Sequence, residues 1–161
     1  MFVLRFFGLG KEIEQPKLNK VECIDGYISL VEDISSIDPD KKTAIFIHGL
    51  CSEVGENFSG LYNELKKEFN IFAFSYPTLK KGIRENSKEL SRMINKFTNE
   101  VYIFAHSMGG LVARSSVVYD NSNIKSIIMA GTPNNGSRLA SSGSVLKRIV
   151  SYICNFKNRI E

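Results

Sequence analysis

The sequence predicts an α/β fold in which a mostly parallel β-sheet is flanked by helices on both faces. Short, continuously apolar segments alternate with longer segments in which apolar residues recur every three or four positions. Continuous apolarity is typical of strands that are covered on both faces, as the strands of parallel sheets are. The predicted strands are TAIFIHG at 43–49, NIFAFSYP at 70–77, VYIFA at 101–105 and IKSIIMAG at 124–131.

The other elements follow from turn signals and helical spacing. Residues 21–31 predict a strand or hairpin around the turn dipeptide Asp25-Gly26. Helices are predicted at 56–69, 82–99 and 108–119. The apolar positions expected to face the sheet are Phe58, Leu61, Tyr62, Leu65 and Phe69 in the first helix and Ile83, Leu90, Ile94 and Phe97 in the second.

The composition fits one globular domain over residues 1–161, with 43% hydrophobic and 24% charged residues. The net charge of +4 is mild and basic residues are scattered, so we expect no nucleic-acid partner. Without CxxC spacing or a His/Cys cluster, the cysteines favour free thiols in a reducing compartment, and no metal or cofactor is expected. The cysteines are Cys23, Cys51 and Cys154.

The N-terminal stretch FVLRFFGLG, residues 2–10, is apolar but is interrupted by Arg5. A transmembrane helix needs about 18 apolar residues, and a signal peptide needs a basic segment followed by an uninterrupted apolar one. We therefore expect an initial strand or packing segment and a cytoplasmic chain. Contact with a membrane surface is the less favoured alternative.

The stretch FAHSMGG places Ser107 at the turn between a predicted buried strand and a predicted helix. A nucleophilic serine in such a turn is held in a strained backbone conformation and needs small residues two positions before and after it. Ala105 and Gly109 meet that need, and Gly110 allows the helix to pack against the sheet. The N–H of Met108, at the start of the helix, is suited to stabilising an oxyanion.

The stretch IFIHGLCSE predicts a second oxyanion donor. The dipeptide His48-Gly49 ends the first buried strand, and Gly49 permits a tight turn that directs the N–H of Leu50 towards the serine. A serine motif alone is a weak signal, but one placed between strand and helix and preceded by this loop is a strong one.

The motifs FIHGL, FAHSMGGLVAR and MAGTPNNGS, in this order, resemble those of the α/β-hydrolase superfamily, in particular its bacterial lipases and related esterases. The resemblance covers roughly residues 40–140. It implies Ser107 as the nucleophile, the Leu50 and Met108 amides as the oxyanion hole, and an acyl ester or lipid as substrate. Asn134 departs from the pattern, because a histidine is frequent there.

A second departure concerns the catalytic base and acid, which the superfamily supplies after the serine. Both histidines, His48 and His106, lie before Ser107, and only Asp120 and Glu161 are acidic after it. We expect the His106 side chain to point away from the pocket, and His48 to hold the oxyanion loop by hydrogen bonding. The sequence therefore predicts a C-terminally incomplete hydrolase domain. Cys51 is expected to be a packing residue.

Residues 141–161 have apolar residues near helical spacing with basic residues around them. This pattern favours an amphipathic helix that covers the sheet, and a lid or interfacial helix that meets lipid is the alternative. If its partners are missing, an exposed apolar face would favour self-association.

Two functions therefore compete. The first is a serine ester hydrolase of lipase or esterase type, truncated and weakly active or inactive alone. The second is a non-catalytic binding or interaction module derived from a hydrolase. The identity of the substrate and the source of the base stay open.

Overall fold

A computed structural model describes residues 13–24, 27–31, 37–50, 52, 54–119 and 122–136. Three helices and a 3-10 turn alternate with six strands in these ranges. The strands are β1 Lys17–Ile24, β2 Tyr27–Val31, β3 Lys42–Ile47, β4 Phe69–Ser75, β5 Val101–His106 and β6 Ile124–Ala130. The helices are α1 Val54–Leu65, α2 Ile83–Ile94 and α3 Met108–Ser116, which the 3-10 turn Val117–Tyr119 follows.

The six strands form one sheet in the order β2-β1-β4-β3-β5-β6. Strand β3 is central and pairs in parallel with β4 and with β5, and β5 pairs in parallel with β6. The β1–β2 hairpin is antiparallel and joins the sheet through β4. The predicted mostly parallel sheet is confirmed. Of the two alternatives predicted for residues 21–31, a strand or a hairpin, the antiparallel β1–β2 pairing shows the hairpin, and its turn dipeptide Asp25-Gly26 lies outside the described residues.

Helices cover both faces of the sheet, as predicted. On one face α2 and α3 pack against apolar residues of β3, β4 and β5, and on the other face α1 packs against the alternate residues of β3 and β4. On the first face, Leu90 of α2 and Val112 of α3 are buried against the sheet. On the second face, Phe58 and Tyr62 of α1 are buried. In the second layer the Phe58 ring stacks on Phe46, with ring centroids 4.7 Å apart.

The ends of the helices differ from the prediction. Helix α1 begins earlier, at Val54, and ends at Leu65, where Glu68 N–H donates to the Leu65 carbonyl and closes the turn. The placement of Phe69 on the helix was wrong, because Phe69 begins β4 and its ring packs edge-on against Tyr102.

Helix α2 begins at Ile83 and ends at Ile94, five residues before the predicted end at 99. The amide of Asn123 donates to the carbonyls of Ile94 and Phe97 and so satisfies the end of this helix. Leu90, Ile94 and Phe97 are buried as predicted, but Ile83 is 37% exposed. Helix α3 begins at Met108 as predicted and ends at Ser116.

Strand β6 differs from the predicted buried strand in its exposure. Ile128 is 45% and Met129 37% exposed. Neighbouring residues of a strand point to opposite faces, so this end of β6 is open on both faces. Within the described ranges β6 pairs with β5 alone, and an edge strand has fewer neighbours to cover it.

Two predicted segments, residues 2–10 and 141–161, lie outside the described residues. Of the helices that are described, none has both the length and the apolarity that crossing a bilayer requires.

Candidate active site

Ser107 occupies the turn between β5 and α3 with φ 51° and ψ −123°. Among the described residues it is the one non-glycine residue with a positive φ. Its N–H donates to the Ala130 carbonyl at 2.8 Å, and its own carbonyl accepts from Gly110 N–H at 3.1 Å. Such a conformation costs about 1–3 kcal/mol and persists only where the surroundings enforce it. The sharp strand-to-helix turn predicted for Ser107 is therefore present.

Gly109 and Gly110 lie where a side chain would collide with neighbouring elements. A Cβ atom on Gly109 would lie 2.5 Å from the His48 carbonyl oxygen and 2.7 Å from that of Ile47. A Cβ atom on Gly110 would run into the side chain of Thr132, which follows β6. Ala105, on the preceding strand, is buried in the core. These contacts explain why the turn is built from small residues.

The loop after β3 runs directly beside the serine turn. A Cβ atom on Gly49 would lie 3.0 Å from the Cβ of Ser107 and 3.4 Å from the His106 carbonyl oxygen. The Gly49 N–H donates to the Ser52 hydroxyl at 3.0 Å, and Leu50 follows in the same loop. Met108 lies in the first turn of α3, where N–H groups have no acceptor within the helix.

His48 is 2% exposed, and both of its ring nitrogens are engaged. Nδ1 lies 2.8 Å from the Gly49 carbonyl oxygen, and Nε2 accepts from the backbone N–H of Tyr76 at 3.4 Å. Burial lowers the pKa of His48 below its usual 6.5, although the bond to Gly49 opposes this. Because the ring is neutral and both nitrogens have partners, it holds the loop and has no nitrogen left for Ser107.

Tyr76 is the residue of this site that sequence reasoning missed. It follows β4 directly, is 1% exposed, and stacks on His48 with ring centroids 4.6 Å apart. Its hydroxyl donates to the His48 carbonyl at 2.8 Å. The sequence could have indicated Tyr76 through its position, because Tyr76 and His48 each follow one of two adjacent parallel strands.

His106 shares the α1 side of β5 with Phe104, at alternate positions of the strand. Its Nδ1 is buried without a hydrogen-bond partner. A Cβ atom on Gly49 would lie 3.3 Å from Nδ1, and one on Gly131 would lie 4.0 Å from Nε2. In the described part of the chain no hydrogen bond joins His106 to Ser107.

Asn134 lies in the loop after β6, where its side-chain oxygen accepts from Arg114 of α3 at 2.8 Å. This bond ties the loop to α3, the helix that follows Ser107. The described residues contain no group of three or more His, Cys, Asp or Glu side chains that could hold a metal ion. Of the other residues discussed from sequence, Cys23 lies in β1, and Cys51, Asp120, Cys154 and Glu161 lie outside the described ranges.

Solved structures with a similar fold include several lipases. Lipase BlEst2 of Bacillus licheniformis, in its mature form, has a TM-score of 0.55 and 23% identity over 70% of this chain and 49% of its own. Aspergillus fumigatus lipase B has a TM-score of 0.55 and 18% identity over 64% of this chain and 28% of its own. The monoacylglycerol lipase of Paleococcus ferrophilus has a TM-score of 0.50 and 20% identity over 68% and 49%.

At these identities the likeness shows the fold alone, and the chain spans half or less of the length of these lipases. No curated protein matches the chain. The model of a family described as a domain of unknown function, DUF7379, matches residues 13–161. The chain therefore belongs to the DUF7379 family, and it has the α/β-hydrolase fold.

Proposed function

We propose that this chain carries the nucleophile and the oxyanion hole of a serine ester hydrolase of lipase or esterase type. The observation that carries the proposal is the strained conformation of Ser107, at a strand-to-helix turn in contact with the Gly49 loop. An exposed loop serine has no reason to hold such a conformation. A nucleophile does, because the turn presents its Oγ in front of the helix N-terminus.

In the proposed reaction the Ser107 Oγ attacks the carbonyl carbon of an acyl ester, and its proton passes to a base. The N–H groups of Leu50 and Met108 donate to the oxyanion of the tetrahedral intermediate. The C–O bond to the alcohol then breaks, and the alcohol takes up the proton. Water hydrolyses the resulting acyl-enzyme and releases the carboxylic acid. Esters or lipids are the proposed substrates because several of the similar structures are lipases.

The base is proposed to come from polypeptide outside these 161 residues. Both ring nitrogens of His48 are engaged, and His106 has no hydrogen bond to Ser107. These are the two histidines of the chain. The oxyanion hole and substrate binding alone give a residual rate about 10³–10⁴-fold above that in water. We therefore expect the chain on its own to be weakly active.

Release of p-nitrophenol from short-chain p-nitrophenyl esters tests this proposal, with Ser107→Ala as the matched variant. The proposed function predicts a slow release by the wild type that Ser107→Ala removes. Equal release by both would mean that Ser107 is not the nucleophile. Saturable ester binding without any release that depends on Ser107 would favour the alternative function, a non-catalytic binding module.

A further inference from the structure

The His48–Tyr76 pair occupies the ends of two adjacent parallel strands beside the serine turn. The two rings stack nearly parallel, with an angle of 20° between their planes. Two hydrogen bonds join the pair, from the Tyr76 hydroxyl to the His48 carbonyl and from the Tyr76 N–H to Nε2 of His48. Both residues are almost fully buried, so water does not compete for these bonds.

The Tyr76 N–H determines which nitrogen of His48 carries the proton. A backbone amide can only donate, so Nε2 must be the accepting nitrogen of a neutral ring. The proton of the neutral imidazole is then on Nδ1. In that tautomer Nδ1–H donates to the Gly49 carbonyl, which lies 2.8 Å away. The two contacts of the ring are therefore satisfied by one tautomer and by no other.

The bond to the Gly49 carbonyl in turn determines where the next amide points. The carbonyl of Gly49 and the N–H of Leu50 belong to one trans peptide unit, so they point in opposite directions. Since Nδ1–H holds the carbonyl towards the His48 ring, the N–H of Leu50 points away from that ring. Rotation of this peptide would turn the carbonyl oxygen to the side that the N–H now faces.

We infer that His48 and Tyr76 are positioning residues that set the orientation of the Leu50 N–H, the first of the two proposed oxyanion donors. This inference rests on the proposed function. The Tyr76 N–H sets the tautomer of His48, and the Tyr76 hydroxyl holds the His48 carbonyl. His48 in turn holds the Gly49–Leu50 peptide through Nδ1–H. Neither side chain contacts the substrate in this scheme, and neither exchanges a proton with it.

The first test is the tautomer of His48 in the wild-type protein. In histidine labelled with ¹⁵N, we expect the resonances that disappear in His48→Asn to show a protonated Nδ1 and an unprotonated Nε2 at pH 7.5. A ring protonated on Nε2, or one that averages between the two tautomers, would overturn the inference. This measurement needs no catalytic activity, so it stands even where the proposed function fails.

The second test compares two substitutions of His48 by the rate at which a fluorophosphonate labels Ser107. His48→Leu removes both ring bonds, and we expect labelling to slow about 100-fold, as on loss of one oxyanion donor. His48→Asn keeps an N–H near the place of Nδ1, and we expect it to recover the rate to within about 10-fold of the wild type.

The two variants and the wild type separate the relevant outcomes. If the wild type is labelled, and the His48→Leu and His48→Asn proteins are labelled at the same rate and have the same melting temperature, the inference is overturned. Absence of labelling in the wild type would count against the proposed function instead, and the tautomer would then decide the inference. If His48→Leu does not fold, the labelling rate of the Tyr76→Phe protein replaces it. This variant keeps the backbone N–H that sets the tautomer and loses the hydroxyl that holds the His48 carbonyl, so we expect an unchanged tautomer and slower labelling. Unchanged labelling would overturn the role of the Tyr76 side chain.

Discussion

Gly49 touches Ser107 so closely that a Cβ atom on the glycine would lie 3.0 Å from the serine Cβ. The loop after β3 and the turn after β5 come from strands that are neighbours in the sheet. Because parallel strands end at the same edge, their two loops meet there. This contact brings the loop that contains Leu50 next to the serine that precedes Met108, and it gives the site its first testable consequence.

Gly49→Ala should separate the two loops. The added methyl group meets Ser107 and the His106 ring at distances that require the neighbours to shift by tenths of an ångström. We expect the free energy of unfolding to fall by about 1–3 kcal/mol. The labelling rate of Ser107 should fall by a larger proportion. Urea unfolding and labelling rates measure the two effects. The matched control is Gly60→Ala in α1, where nothing lies within 4 Å of the added atom. That control should be neutral or stabilising, and equal losses in both variants would contradict the prediction.

Gly109→Ala should be more damaging than Gly49→Ala. Here the added methyl group meets two backbone carbonyl oxygens at 2.5 and 2.7 Å, and backbone cannot move aside as a flexible side chain does. We expect a cost of about 3 kcal/mol or more, at the upper end of overpacking penalties. Thermal unfolding measures it. A variant as stable as the wild type would mean that α3 does not pack against β3 as described.

Ser107→Gly and Ser107→Ala should differ in stability although both lack the hydroxyl group. The backbone at position 107 has φ 51°, which glycine adopts at little cost and alanine does not. We expect the Ser107→Gly protein to be about 1–2 kcal/mol more stable than the Ser107→Ala protein, as measured by urea unfolding. Both variants should resist labelling. If the alanine variant is the more stable one, the serine turn is not strained.

Tyr76→Phe should destabilise the protein by about 1–3 kcal/mol, because the buried His48 carbonyl loses its donor. Burial raises the pKa of the Tyr76 phenol, so the hydroxyl remains a donor throughout the usual pH range. The control is Tyr102→Phe, which removes a less buried hydroxyl bonded to Glu100 at 3.2 Å. Chemical denaturation should show the larger effect at position 76, and the reverse order would contradict it.

As the pH drops below about 6.5, we expect protonation of His48 to lower the free energy of unfolding. Burial lowers the pKa of the folded-state ring below its ordinary value of 6.5, so the unfolded chain binds the proton first. The contribution of the neutral ring is complete above pH 6.5 and is lost as the pH falls towards the folded-state pKa. The loss is at most about 1.4 kcal/mol per pH unit. Between pH 7.5 and pH 5.5 the midpoint of urea unfolding should drop more in the wild type than in His48→Asn. Equal drops would contradict the assignment of this pH dependence to His48.

The sheet and the serine turn could be predicted from sequence because both depend on local patterns. Continuous apolar runs mark β3, β4 and β5, and the small residues around Ser107 mark a close approach of backbones. The assignment of Phe69 failed because an apolar residue at helical spacing also fits the start of a strand. Only the pairing of Phe69 with Lys42 in the neighbouring strand decides between them.

Other features depend on contacts between distant residues. Tyr76 lies 28 residues from His48, and no spacing in the chain connects them. The exposure of Ile128 depends on whether a strand lies beyond β6, which the composition of β6 itself does not determine. The role of His48 was expected from its place in the loop, but the engagement of both ring nitrogens required the positions of Gly49 and Tyr76.

We propose that Ser107 is a nucleophile whose backbone conformation holds it ready for reaction. The most direct measurement is mass spectrometry of the folded chain after reaction with a fluorophosphonate, with the labelled peptide identified. We expect a slow modification of Ser107, which unfolding in urea abolishes and which is absent in the Ser107→Ala variant. Modification of other serines at the same rate, or none at Ser107, would contradict it.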